Sequence, residues 1–233
     1  LALCIGLLAA HPEISAGAWL PDGVLVVDGP GLRDVPSIST DSAGGAYIGW
    51  RHYGSGAGAD VYLQRLTAAG NIATGWPIIG LAVCGAAEDQ LDHLITPDGS
   101  GGIYVAWVDY RDRAINDGDI YLQRVLADGS TAPGWPVNWL AVSALTGLQW
   151  FPVLAPDGAG GVFVAWEDWR AGQPSRAVYL QHITSSGLIA AGWPLNGLHV
   201  AVAPGQQVFP SIVSDGSGGV FLSWIDTRNG ATS

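Results

Sequence analysis

The tryptophans of this chain keep a period. Trp50, Trp107, Trp166 and Trp224 are spaced by 57, 59 and 58 residues, and Trp19, Trp76, Trp135 and Trp193 repeat the same three intervals. Two aromatic positions that hold one register through 233 residues mark an array of like units. Tyr62, Tyr121 and Tyr179, each followed by Leu-Gln, form a third series, and the pairs Gly44-Gly45, Gly101-Gly102, Gly160-Gly161 and Gly218-Gly219 form a fourth.

Each unit reads as four short strands. Phe151 to Ala155 is an apolar run ended by Pro156-Asp157-Gly158-Ala159-Gly160-Gly161, whose glycines supply the positive φ of a tight reversal. Val162 to Trp166 is β-branched and aromatic, as a strand buried on both faces is, and a polar loop over Glu167 to Arg176 follows. Ala177 to Ile183 alternates in character and ends at Ser185-Ser186-Gly187, and Leu198 to Val202 is the fourth run. Four strands recurring without helical periodicity predict an all-β fold, a β-propeller of about four blades of four antiparallel strands, closed as a four-blade ring or part of a larger ring. The solenoid alternative has shorter coils, and sandwiches lack internal repetition. The register divides the chain into a half blade at 1–30 (strands three and four), blades at 31–88, 89–147 and 148–205, and a half blade at 206–233 (strands one and two). The two halves are complementary and would together complete a blade.

Composition narrows the function classes. A chain with 48% hydrophobic and 12% charged residues is not disordered, and 34 Gly with 14 Pro suits a fold of many tight turns. The net charge of −11, with nine Arg and no Lys, leaves no basic stripe for a phosphate backbone and no attraction to anionic lipid heads, so neither nucleic acid nor membrane is an expected partner. The apolar run Leu1 to Ala10 is too short to span a bilayer. It reads as a degenerate strand of the repeat or as the tail of an export signal, and the register favours the strand. The chain contains no Met and so reads as a fragment or a processed product. Cys4 and Cys84 are either a disulfide in an oxidising compartment or two small buried hydrophobes.

The string Trp-x-Asp-x-Arg stands at Trp107-Asp109-Arg111, Trp166-Asp168-Arg170 and Trp224-Asp226-Arg228, each after a Gly-Gly pair. With the downstream Asp119-Ile120-Tyr121-Leu122-Gln123-Arg124, the chain resembles the tandem propeller-type repeats of large secreted or surface proteins of bacteria. The Ser214-Asp215-Gly216-Ser217-Gly218-Gly219 turn also resembles the start of the Asp-box of sialidase-like propellers, without the aromatic that closes that motif. The resemblance implies a secreted or cell-surface location and a scaffold or binding role.

Shared residues mostly serve what the blades share, so the tryptophans and the Asp–Arg pairs read as structural braces. A specific site is expected where one blade departs from its siblings. Pro36, Pro152 and Pro210 occupy one position that holds His93 in the second blade, preceded by Asp92 where the others have Val35, Phe151 and Phe209. His52 stands in the first blade where a carboxylate is expected. First strands line a propeller channel, which makes Asp92 and His93 the first candidates for ligand contact. His52 joins them, as do Gln90, Gln149 and Gln207, which recur before the first strand with Arg33 in their place in the first blade. No Gly-x-Ser-x-Gly, His-Glu-x-x-His or Cys-x-x-Cys occurs, and the Asp-Gly turns match no EF-hand or nine-residue calcium repeat. No catalytic residue, metal site or cofactor is therefore assigned, with Ca²⁺ the one ion the turns could suit. The expected function is a non-catalytic extracellular scaffold or binding module for glycan or protein. The alternative is a polysaccharide hydrolase or lyase using channel carboxylates.

Overall fold

The computed structural model describes residues 3–5, 23–54, 58–172 and 175–228, the first three by backbone alone. Trp19, the side chain of Cys4 and the rest of the Leu1 to Ala10 run lie outside the described residues. β1 (Leu3–Ile5) and β2 (Val24–Val27) pair as a two-stranded sheet. β3 (Leu32–Thr40), β4 (Ala46–Tyr53), β5 (Ala59–Leu66) and β6 (Leu81–Cys84) form the first four-stranded antiparallel sheet. The second is β7 (Gln90–Pro97), β8 (Ile103–Asp109), β9 (Asp119–Val125) and β10 (Leu140–Ser143). The third is β11 (Gln149–Pro156), β12 (Val162–Asp168), β13 (Ala177–Ile183) and β14 (Leu198–His199). β15 (Gln207–Ser214) and β16 (Val220–Asp226) close the described chain as a pair. In every sheet the strands are ordered as in the sequence, and the first strands β3, β7, β11 and β15 pack successively against one another. That radial stacking is a β-propeller, with first strands innermost.

The repeated residues explain the stacking. Trp50, Trp107 and Trp166 are fully buried in the second strands, and at about 25 cal/mol per Å² each ring contributes at most about 4–6 kcal/mol. At the hairpin between first and second strands, Asp98 Oδ1 accepts the backbone N–H groups of Ser100 at 2.7 Å and Gly102 at 2.8 Å. Its Oδ2 meets Arg124 Nη2 at 2.7 Å, and Asp41 with Arg65 and Asp157 with His182 repeat the device. A side chain at Gly102 would put its Cβ 2.6 Å from both Asp98 Oδ2 and the Val125 carbonyl, which is why the second glycine of the pair recurs. Blades are locked to their successors by hydrogen bonds to turn carbonyls. Tyr47 Oη donates to Gly101 O and Tyr104 Oη to Gly160 O, both at 2.6 Å, and the Trp76 and Trp135 indoles donate to Ala127 O and Ser185 O. Arg65 and Arg124 reach the same two carbonyls at 2.9 Å. At the third joint Phe163 replaces the tyrosine and His182 the arginine, and the two rings stack at 4.1 Å instead.

At the opposite end of the second strands the Trp-x-Asp-x-Arg strings fold into a brace. Trp107 Nε1 donates to Asp109 Oδ2 at 2.9 Å, Arg111 Nε donates to Asp109 Oδ1 at 2.8 Å, and the guanidinium lies 4.2 Å from the centre of the Tyr121 ring. Trp166, Asp168, Arg170 and Tyr179 repeat it, and Trp224, Asp226 and Arg228 repeat the hydrogen-bonded part. Cys84 is a buried free thiol 3.7 Å from Asp109 Oδ2 in the second brace.

Two features differ from the sequence expectation. The interval from Trp to Tyr is 14 residues in the second blade against 12 and 13 in its neighbours, and the extra length forms a single helical turn, α1 (Arg113–Asn116). The complementary halves are not joined into one sheet among the described residues. Val26 and Val27 of β2 instead pack on Ile48, Trp50 and Leu66 of the first blade, while Val213, Phe221 and Ile225 of the β15–β16 pair are exposed. No helix of the described residues is long and apolar enough to cross a membrane.

Candidate active site at the propeller axis

The innermost strands share an irregularity that the sequence marks only faintly. Each breaks register with its neighbour at one place, between Asp34 and Ser37, Leu91 and Leu94, Trp150 and Val153, and Val208 and Ser211. In each bulge one residue takes a left-handed backbone: Val35 at φ 48°, Asp92 at 50°, Phe151 at 51° and Phe209 at 53°. Such conformations cost about 1–3 kcal/mol each and bulges re-aim side chains, so four aligned copies gather the bulge residues at the axis. The next position holds proline in three blades, where no N–H is needed, and His93 in the second.

Among the four bulge residues Asp92 is the carboxylate. Its Oδ2 accepts a hydrogen bond from Trp150 Nε1 of the next blade. The Trp150 ring stacks on Phe151 at 4.2 Å, and Phe151 lies 5.6 Å from Phe209. Phe209 is half exposed, and its backbone N–H is held at 2.7 Å by Glu167 Oε1. On the other flank Arg51 grips Asp34 with two bonds of 2.7 Å, and the guanidinium so placed holds the Asp34 carboxyl below the usual range. Asp34 and Asp92 belong to successive first strands, β3 and β7, which pack against each other.

His93 lies beneath this surface, 4% exposed, with neither ring nitrogen hydrogen-bonded. Burial pushes its pKa down to about 4, against a smaller opposing pull from the Gly49 backbone. A Cβ on Gly49 would sit 3.1 Å from the His93 ring and 2.8 Å from Ser37 Oγ, another buried atom without a partner. Glycine there leaves room for both.

The remaining sequence candidates are placed elsewhere. Gln90, Gln149 and Gln207 are buried, and their amides donate to the loop that precedes each first strand: Gln90 to Glu88 O at 3.0 Å, Gln149 to Leu145 O at 3.0 Å, and Gln207 to Ala203 O at 3.4 Å. Arg33 does the same in the first blade, donating to Gly29 O at 3.0 Å, so the four side chains brace the crossover loops. His52 sits opposite Arg33 in the β3–β4 ladder, stacked edge-on to Tyr62 at 4.8 Å, with burial and the Arg33 charge lowering its pKa. It does not replace the missing carboxylate of the brace, since Trp50 Nε1 is left without an acceptor. Among the described residues no group of three or more His, Cys, Asp or Glu is arranged to hold a metal ion.

No family model and no curated protein matches the chain. Solved structures that it resembles include the endo-arabinase of Bacteroides thetaiotaomicron, with 15% identity, a TM-score of 0.48 and coverage of 81% of this chain and 68% of that one. The α-L-arabinanase of Penicillium chrysogenum, solved with arabinobiose, gives 12% identity, a TM-score of 0.48 and coverage of 81% and 54%. The α-L-arabinofuranosidase of Fusarium graminearum gives 9% identity, a TM-score of 0.46 and coverage of 77% and 53%, so this chain spans about half the length of these last two. The expectation of a non-catalytic scaffold or binding module stands against these comparisons, whose named structures are carbohydrate-cleaving enzymes. The likeness is one of fold, and the substrates of those enzymes are not transferred to this chain by it.

Proposed function

We propose that this propeller acts on polysaccharide as a glycoside hydrolase, with its reacting centre at the axis around Asp92 and Asp34. The observation that carries the reading is the aligned set of left-handed bulges, which spends backbone strain in four blades to bring one carboxylate and two phenylalanines together. Glycoside cleavage needs two carboxyl groups with distinct roles across the scissile bond. Asp34, held ionised by Arg51, suits the base or nucleophile, and Asp92, oriented by Trp150, is the second carboxyl of the pair. Phe151 and Phe209 offer apolar ring surface for the less polar face of a sugar, and the acidic, lysine-free surface suits a neutral polymer better than a polyanion. A polymeric substrate also fits the extracellular location implied by the repeat resemblance.

The test is release of reducing ends from a panel of neutral polysaccharides that includes arabinan and xylan. Turnover by the wild type that falls at least a hundredfold in Asp92→Asn and Asp34→Asn, with the fold retained, supports the reading. Turnover undiminished in both variants overturns it.

A further inference from the structure

The third blade departs from its siblings in a pair of charges. Just before each bulge, the first-strand residues Asp34, Leu91, Trp150 and Val208 pair in the ladder with Arg51, Val108, Glu167 and Ile225 of the second strands. Val108 is fully buried, so an apolar residue serves the packing of that position. Glu167 is fully buried as well, a carboxylate where the packing of a blade needs none. Its countercharge also belongs to this blade alone among the three complete ones. Arg176 stands three residues before Tyr179, where Ala59 and Gly118 precede Tyr62 and Tyr121. Its Nη1 is 3.6 Å from Glu167 Oε2, and its guanidinium lies 5.0 Å from the centre of the Trp169 ring.

A buried ion pair seldom stabilises a fold more than apolar residues of the same volume, so the pair is to be understood by what its carboxylate holds. Glu167 Oε1 accepts the backbone N–H of Phe209, in the next blade, at 2.7 Å. The β15–β16 register skips Phe209, which takes the left-handed backbone of the bulge at φ 53°. An N–H outside the ladder needs its acceptor elsewhere, and a carboxylate is the stronger kind of acceptor. The preceding bulges receive no such hold from the equivalent residues. Arg51, ahead of the Asp92 bulge, is a donor committed to Asp34, and Val108, ahead of the Phe151 bulge, has no polar side-chain atom. The bulge so held is the one whose ring is half exposed, 5.6 Å from Phe151 at the axis.

We infer that Glu167 is a positioning residue. Through the Phe209 N–H it fixes the bulge, and with it the ring on which a neutral sugar unit stacks, while Arg176 serves as its countercharge. That the ring receives a sugar rests on the function proposed above; that Glu167 sets the bulge does not. Glu167 is wholly buried and acts on the sugar only through Phe209.

The test joins two measurements on the full chain carrying Asp92→Asn. The first is hydrogen exchange of the Phe209 amide, read by NMR without ligand. Glu167→Val installs the residue of the second blade and removes the acceptor, and exchange is expected to quicken at least tenfold with the Ile212 amide of the same strand unchanged. Glu167→Gln keeps an acceptor oxygen and is expected to stay within threefold. Should Glu167→Val not fold, Glu167→Val with Arg176→Gly reproduces the second-blade pair and carries the same expectation. Phe209 exchange unchanged, or quickened equally with Ile212, overturns the positioning role. The second measurement is calorimetric binding of xylohexaose and arabinohexaose. Affinity for the hexaose that binds is expected to fall at least fivefold in Glu167→Val, as in Phe209→Ala, with the double variant no weaker than Phe209→Ala alone. Losses that multiply overturn the link between Glu167 and the ring. Quickened Phe209 exchange with neither hexaose bound overturns the sugar reading and retains the hold on the bulge, whereas binding lost in Phe209→Ala and intact in Glu167→Val overturns the positioning role and retains the axis.

Discussion

The indole N–H of Trp150 donates to the carboxylate of Asp92, a residue in the preceding blade, so a catalytic candidate is held by the neighbouring sheet and not by its own. The bond crosses the joint between β7 and β11 at the axis. It fixes the carboxylate where the left-handed backbone has already aimed it. Trp150→Phe keeps the ring that stacks on Phe151 and removes the donor. Turnover is expected to fall about ten- to hundredfold, through kcat more than KM, as for loss of one charge-assisted hydrogen bond of about 1.5–3 kcal/mol. Steady-state kinetics on the best polysaccharide substrate check this.

His93 gives a pH dependence with a definite sign. Its pKa is depressed from 6.5 to about 4 by burial, so the unfolded chain takes up a proton that the folded chain resists. The stability it allows is whole above pH 6.5 and is lost as pH falls towards 4, by about 3 kcal/mol at the limit of one 1.36 kcal/mol step per unit. His93→Pro restores the residue of the sibling blades and is expected to flatten that acid limb. Urea unfolding midpoints from pH 7 to pH 4 are the measurement, and equal slopes in the two proteins would contradict the assignment.

The blade joints should be separable by mutation. Tyr104→Phe leaves the Gly160 carbonyl without its 2.6 Å donor and is expected to cost about 1 kcal/mol, and Tyr47→Phe about the same. Phe163→Tyr at the third joint removes no such bond and is expected to be neutral or stabilising. Denaturant titration of the three variants ranks them.

Asp98 serves two backbone N–H groups and Arg124 while 1% exposed, as Asp41 serves its own turn and Arg65. Asp98→Ala leaves Arg124 without its carboxylate and two turn N–H groups without their acceptor, and is expected to destabilise by about 3–5 kcal/mol. Asp215→Ala, in the exposed copy of the same turn, is expected to have a much smaller effect on the melting temperature.

The architecture was legible because it is written in large aromatics. A buried tryptophan on each second strand needs the same surroundings every time, so Trp50, Trp107 and Trp166 state the blade spacing directly. The site was harder to read. Asp92 and His93 stand out as departures from a column of apolar residues and prolines, but Asp34 and Trp150 occupy the preceding column, which reads Asp, Leu, Trp, Val and has no consensus to depart from. The bulge that joins them is a backbone event, signalled in sequence only by the following prolines. The role of the glutamines was not legible for the opposite reason. A recurrent polar residue beside the channel looks like a ligand contact, and in the structure the amides of Gln90, Gln149 and Gln207 donate to carbonyls of the loop that precedes each first strand.

The most direct measurement is a crystal structure of the Asp92→Asn protein with an oligosaccharide of the polymer it cleaves. A sugar ring on Phe151 or Phe209, its glycosidic oxygen within hydrogen-bond reach of Asp34 or of the amide introduced at position 92, is the expected result. A sugar bound with neither of those two side chains in reach would contradict the axis as the reacting centre.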